Sequence, residues 1–139
     1  MIRLTRRYRF CASHRLHTEK LTGEQNRELF GKCNNPFGHG HNYILEVSVS
    51  GPLDESGRVA PVPMLDRVVT ESILRDFDHK DLNLQVADFA SEIPTTENIV
   101  HAIRDRLTRQ WPQAFPGGWP RLDKVRVQET RRNLFELTT

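Results

Sequence analysis

His39-Gly40-His41-Asn42-Tyr43-Ile44-Leu45-Glu46-Val47-Ser48-Val49-Ser50 is the stretch from which the fold is read. From His41 to Ser50 apolar and polar residues alternate, so Tyr43, Leu45, Val47 and Val49 share one face of a strand, with His41 in the same register. An earlier segment, Arg3 to His14, repeats the period and puts Tyr8, Phe10, Ala12 and His14 on one face. Near the other end, Leu122 to Thr130 aligns Val125, Val127 and Glu129, and Leu134 to Thr138 reads as a last short strand.

Helical spacing fills the middle. Leu65, Val68, Val69, Ile73 and Phe77 predict a helix from about Met64 to Asp76. Thr95-Thr96-Glu97-Asn98 opens a second long helix with a hydroxyl cap and an early acid. Its stripe is Ile99, Val100, Ile103 and Leu107, and Pro112 is expected to stop it. A short helix is expected after the capping box Thr22-Gly23-Glu24-Gln25, ending at Gly31. Asn34 to Gly38 is turn material, Asp78 to Ile93 reads as polar and turn-like, and Pro112 to Pro120 as a surface loop between two structural tryptophans. The order β, β, α, α, β, β implies an α+β fold: an antiparallel sheet with helices on one face. Two helices cannot cover both faces, so the second face is expected to be polar or to meet another copy.

A chain of 139 residues suits one domain, residues 1–139. With 37% hydrophobic and 27% charged residues it can bury a core, and its composition is not that of a disordered chain. The net charge is only +2 without a one-signed block, so no nucleic-acid partner is expected. Apolar runs fall far short of the roughly 18 residues a membrane span needs, so no membrane partner is expected either. Two cysteines and an N-terminus without an apolar segment fit a cytoplasmic protein.

His39-Gly40-His41 is the most informative triplet. Residues two apart on a strand point to the same side, and Gly40 removes the side chain between them. If the first strand pairs with the one beginning at His41, His14 joins them at one end of the sheet. Three imidazoles with no fixed fourth ligand describe a catalytic zinc site with an open position. Cys33, six residues before His39, admits three readings: a fourth ligand, a thiolate base or nucleophile beside a cation, or a small buried hydrophobe. Cys11 is assigned to the third, and His17 and His101 to the surface without partners. Asp78-His79 could serve general-base chemistry or simply cap a helix end. Glu129 sits on the inner face, where an unpaired carboxylate is costly. It calls either for a ligand with two parallel N–H donors or for Arg131, Arg132 or another chain.

These stretches together resemble the 6-pyruvoyltetrahydropterin synthase family. The resemblance is carried by Phe10-Cys11-Ala12-Ser13-His14, by Cys33 through Tyr43, by Asp78-His79-Lys80-Asp81-Leu82-Asn83, by Thr95-Thr96-Glu97-Asn98, and by Glu129-Thr130 ahead of Asn133. It implies the T-fold, a four-stranded antiparallel sheet with two helices on one side. Trimers then close their sheets into a barrel and stack as a homohexamer with sites between subunits. It implies zinc on His14, His39 and His41, with Cys33 as general base and Asp78 and His79 as its relay. Glu129 would anchor the pterin, with Thr95 and Thr96 beside the ring. The implied reaction converts 7,8-dihydroneopterin triphosphate to 6-pyruvoyltetrahydropterin with loss of triphosphate. The related 6-carboxytetrahydropterin synthases of queuosine biosynthesis usually have three residues between the cysteine and the first histidine. Here there are five, Asn34 to Gly38, which favours the pyruvoyl type. A pterin-binding barrel that uses zinc only structurally is the non-catalytic alternative.

Overall fold

The computed structural model describes all of residues 1–139. Strand β1 (Ile2–His14) is followed by α1 (Gly23–Phe30), a 3-10 turn (Gly31–Asn34) and β2 (His39–Gly51). Next come α2 (Val62–Val69), a π turn (Thr70–Leu74), α3 (Arg75–Phe77), β3 (Lys80–Asp81), α4 (Leu82–Gln85) and a 3-10 turn (Ala87–Phe89). Helix α5 (Thr96–Ala114) then leads to β4 (Arg121–Thr130) and β5 (Asn133–Thr138). No helix is long and apolar enough to cross a membrane.

The sheet order is β3-β1-β2-β4-β5. The expected four-stranded antiparallel sheet is thereby corrected: there are five strands and the sheet is mixed, because β3 pairs in parallel with β1 through Ala12–Lys80 and Ser13–Asp81. A two-residue strand leaves no periodicity, so the turn-like reading of Asp78 to Ile93 missed it. That segment also buries Leu82, Val86 and Phe89.

Phe10, Ala12, Tyr43, Leu45, Val47, Val49, Val125 and Val127 lie buried on the inner face of the sheet, as the period of two predicts. The helical stripes Leu65, Val68, Val69, Ile73 and Phe77, and Ile99, Val100, Ile103 and Leu107, close over them. Each such side chain, fully buried, contributes roughly 1.5–3 kcal/mol. Phe10 stacks on Tyr43 at 4.8 Å and meets Phe77 edge-on at 5.9 Å, joining sheet to helix layer. The opposite face is polar: Glu46 is bridged by Arg7 at 2.9 Å and by Arg126 at 3.7 Å.

The first long helical segment contains the π turn, and within it the Ser72 carbonyl accepts from Arg106 Nη1 at 2.9 Å. Arg106 also grips Asp88 at 2.6 Å and Asp76 at 2.5 Å, and lies over the Phe77 ring. Helix α5 runs past Pro112 to Ala114, correcting the expected stop. Pro112 falls in the last turn, where it costs a single backbone bond. Trp111 packs against Phe115 with ring centroids 4.8 Å apart and planes tilted by 47°, and donates from Nε1 to the Pro120 carbonyl, holding that turn in place. At α1 both halves of the capping box form, Gln25 N to Thr22 Oγ1 and Thr22 N to Gln25 Oε1, and Gly31 ends the helix with a positive φ.

Candidate metal centre

The register of β1 on β2 sets His14 directly opposite His39 and Ala12 opposite His41. All three imidazoles therefore project from the helix-covered face at one end of the sheet. His41 is the shared neighbour, its ring centroid 4.9 Å from that of His14 and 4.7 Å from that of His39. Cys33 reaches the same point from the 3-10 turn, with Sγ 3.7 Å from His41 Nε2. The ligand atoms of His14, Cys33 and His41 lie within 4.8 Å of one another, a group able to hold a metal ion. His39 stands outside that tightest group, beside His41.

His14 is 1% exposed. Its Nδ1 lies 2.8 Å from the Pro94 carbonyl, which can only accept, so Nδ1 carries the proton and Nε2 keeps its lone pair. Nε2 is buried and has no hydrogen-bond partner. A buried acceptor left open among imidazole and thiol groups fits a divalent metal ion. Burial pushes His14 and His41 below the ordinary imidazole range, favouring the neutral form that metals bind. Burial, with the charge of Glu129 adding to it, pushes the Cys33 thiol up. The thiolate thus needs a cation beside it.

Glu129 projects from β4 where the ladder to β5 skips a residue: Gln128 pairs with Leu134 and Thr130 with Asn133. Such a bulge re-aims a side chain. Its carboxylate accepts from the hydroxyl of buried Thr96 through Oε2, and Oε1 lies 4.0 Å from His41 Nε2. Its partners in the chain are thus a threonine and a histidine rather than Arg131 or Arg132. Thr95 caps α5, accepting from Asn98 N.

Asp78 and His79 lie elsewhere. Asp78 accepts from Cys11 N at 2.9 Å, His79 N donates to Cys11 O at 2.6 Å, and His79 Nε2 is 3.6 Å from Asp78 Oδ2. The His79 backbone has φ 58°, and its side chain is 79% exposed. Within one chain this pair is tied to Cys11 and shares no hydrogen bond with Cys33, whose Sγ faces His41. Cys11 itself is half-buried and donates to Asn42 Oδ1 at 2.7 Å, correcting the reading as a buried hydrophobe. As the neighbour of Phe10 and Ala12 on a strand, it must point to the other face. His17 also has partners, Asn34 Nδ2 at 3.1 Å and Glu19 at 3.2 Å.

The residues that frame the centre through backbone contacts escaped the sequence reading. Asn34 donates to Leu16 O at 2.7 Å, and Leu16 N donates to Cys33 O at 2.7 Å, tying the exit of β1 to the cysteine turn. Asn83 clamps both backbone groups of Arg15. Asparagine in a polar loop signals a turn, and its sequence context does not distinguish a clamp.

Residues 3–139 match the family described as 6-pyruvoyl tetrahydropterin synthase. The chain is 42% identical over 132 residues to the 6-pyruvoyl tetrahydrobiopterin synthase of Homo sapiens, spanning 94% of this chain and 87% of that protein. It is 40% identical over 132 residues to the protein of that name from Poecilia reticulata, spanning 94% and 86%. Among solved structures, Caenorhabditis elegans 6-pyruvoyl tetrahydropterin synthase superposes with a TM-score of 0.87 at 34% identity, covering 99% of this chain and 95% of that one.

Proposed function

The chain belongs to the 6-pyruvoyl tetrahydropterin synthase family and is a lyase, and on that premise we propose that it converts 7,8-dihydroneopterin triphosphate to 6-pyruvoyltetrahydropterin with release of triphosphate. The observation that carries this reading is the open, buried Nε2 of His14 beside His41 and Cys33. His14, His39 and His41 hold zinc in this reading, and Cys33 is the base. Zinc bound there supplies Lewis acidity to the substrate's side-chain oxygens and a positive charge that favours the neighbouring thiolate. Cys33 removes a proton from the side-chain carbon, triphosphate leaves, and the hydroxyls tautomerise to ketones. No redox partner is required, because the electrons stay within the substrate.

Glu129 receives the paired N–H donors of the pterin edge, while the Thr96 hydroxyl orients its carboxylate. Thr95 and Thr96 flank the ring. Asp78 and His79 relay the proton of Cys33 from a second copy, and their separation from Cys33 within one chain supports a site between subunits. The exposure of Leu29, Phe37 and Leu84, with Phe37 at 97%, supports assembly, taken here as a homohexamer of two stacked trimers in the cytoplasm. The five residues from Asn34 to Gly38 favour the pyruvoyl over the carboxy product.

Incubating zinc-loaded protein with 7,8-dihydroneopterin triphosphate and identifying products by mass spectrometry tests the proposal. The pyruvoyl product is expected. The carboxy product with acetaldehyde would replace the assignment, and absence of turnover would end both.

A further inference from the structure

We infer that Asn98 is a positioning residue for the metal centre, acting through the Ile93–Pro94 turn on the imidazole of His14; the inference rests on the reading of His14 as a metal ligand. Only one ring nitrogen of a neutral imidazole has a free lone pair, and the hydrogen bond made by the other decides which. For His14 that bond goes to the carbonyl of Pro94. The Tyr43 hydroxyl stands farther from the same nitrogen, at 3.5 Å, so the tautomer, and the aim of Nε2 at Cys33 and His41, depend chiefly on the direction of one backbone carbonyl eighty residues away.

The proline ring restricts φ at Pro94 but leaves the rotation that swings its carbonyl. Two donors settle that rotation by closing on the preceding residue. Thr95 N and Asn98 Nδ2 each donate to the Ile93 carbonyl at 2.8 Å, making a three-residue turn with Pro94 at its centre. Asn98 N also donates to Thr95 Oγ1, so the side chain and backbone of one residue grip both sides of Pro94. The capping of α5 is done by the Thr95 hydroxyl, not by the Asn98 amide, which leaves the amide a separate task. The same first turn carries Thr96 to Glu129, so metal ligand and carboxylate are set from one rigid support.

Two variants of the full chain test this. Asn98→Ala removes the donor, and Asn98→Asp keeps the size but sets a carboxylate oxygen against the Ile93 carbonyl. Chelator competition with zinc should show affinity about tenfold weaker in the alanine variant and weaker again in the aspartate variant. The visible spectrum of the cobalt(II)-loaded variants should change. Long-range 15N–1H spectra of the metal-free protein should show His14 wholly Nδ1-protonated in the parent and a mixture of tautomers in the variants. An exclusive Nδ1–H tautomer in Asn98→Ala, with zinc affinity within about twofold of the parent, would overturn the inference. Asn98→Ala decides the matter if Asn98→Asp does not fold. A parent protein that binds no zinc would end the metal reading instead, and the tautomer spectra would still judge the Asn98–Pro94–His14 link.

Discussion

Thr96 and Glu129 meet across the layer between α5 and β4, the threonine hydroxyl donating to the carboxylate at the point where the strand bulges. Thr96 is 2% exposed and the Glu129 side chain 15%, so the bond forms in a largely buried setting. It joins the start of a helix to the end of a strand beside the imidazole of His41, and in doing so sets a carboxylate at the edge of the candidate metal centre.

Glu129→Gln should weaken substrate binding by about 10- to 100-fold, since a bidentate pair of charge-assisted bonds becomes one neutral acceptor facing a donor. Metal content should be unchanged. Steady-state KM and elemental analysis of the same preparation separate the two outcomes.

Cys33→Ala should retain zinc and lose turnover by about 10²–10⁴-fold, the range for a positioned base. His39→Ala should instead lose the metal. If the cysteine variant loses zinc and the His39 variant keeps it, the ligand set is His14, Cys33 and His41, the tightest group in the fold.

Acid should destabilise the metal-free protein below about pH 6.5, the ordinary imidazole pKa. Burial holds His14 and His41 below that value when folded, so the unfolded chain binds more protons in the window between the two. Their contribution is complete above the unfolded value and is lost as pH falls through the folded one. Urea midpoints between pH 7.5 and 5 should fall, and His14→Gln should flatten the slope.

Gly38→Ala should cost about 1–3 kcal/mol of stability. The position has φ 80°, and an added Cβ would stand 3.0 Å from the His14 carbonyl. Gly57 has the same φ with nothing within 4 Å, so Gly57→Ala should be milder. Urea denaturation compares them, and zinc affinity should fall only for Gly38→Ala.

Asp88→Asn should cost about 1–3 kcal/mol, because it leaves mostly buried Arg106 with a weaker partner. The Arg106 hydrogen bonds hold the Asp88 carboxyl below its usual range, so this stability is present above its unfolded pKa and lost as pH falls through the folded one. Thermal melts of parent and variant should converge in acid.

The inner face of the sheet was legible because a strand repeats every two residues, and Tyr43, Leu45, Val47 and Val49 report that period without help from the rest of the chain. The same rule placed His14, His41 and Glu129 on that face. It also put Cys11 on the other one, a consequence that the apolar neighbours of Cys11 obscured. Strand β3 was illegible because two residues carry no period, and the last turn of α5 because the packing of Trp111 and Phe115 outweighed one lost backbone bond at Pro112.

Side-chain chemistry and local periodicity by themselves determined the α+β class, the two helical stripes and the gathering of His14, His39 and His41 at one end of the sheet. Only the tertiary structure decided that Cys33 faces His41, that Thr96 holds Glu129, and that the carbonyl of Pro94 selects the tautomer of His14. The reason is physical: a side chain announces its chemistry wherever it stands in the chain. A backbone carbonyl is the same at every residue and acquires a role only when folding points it at something.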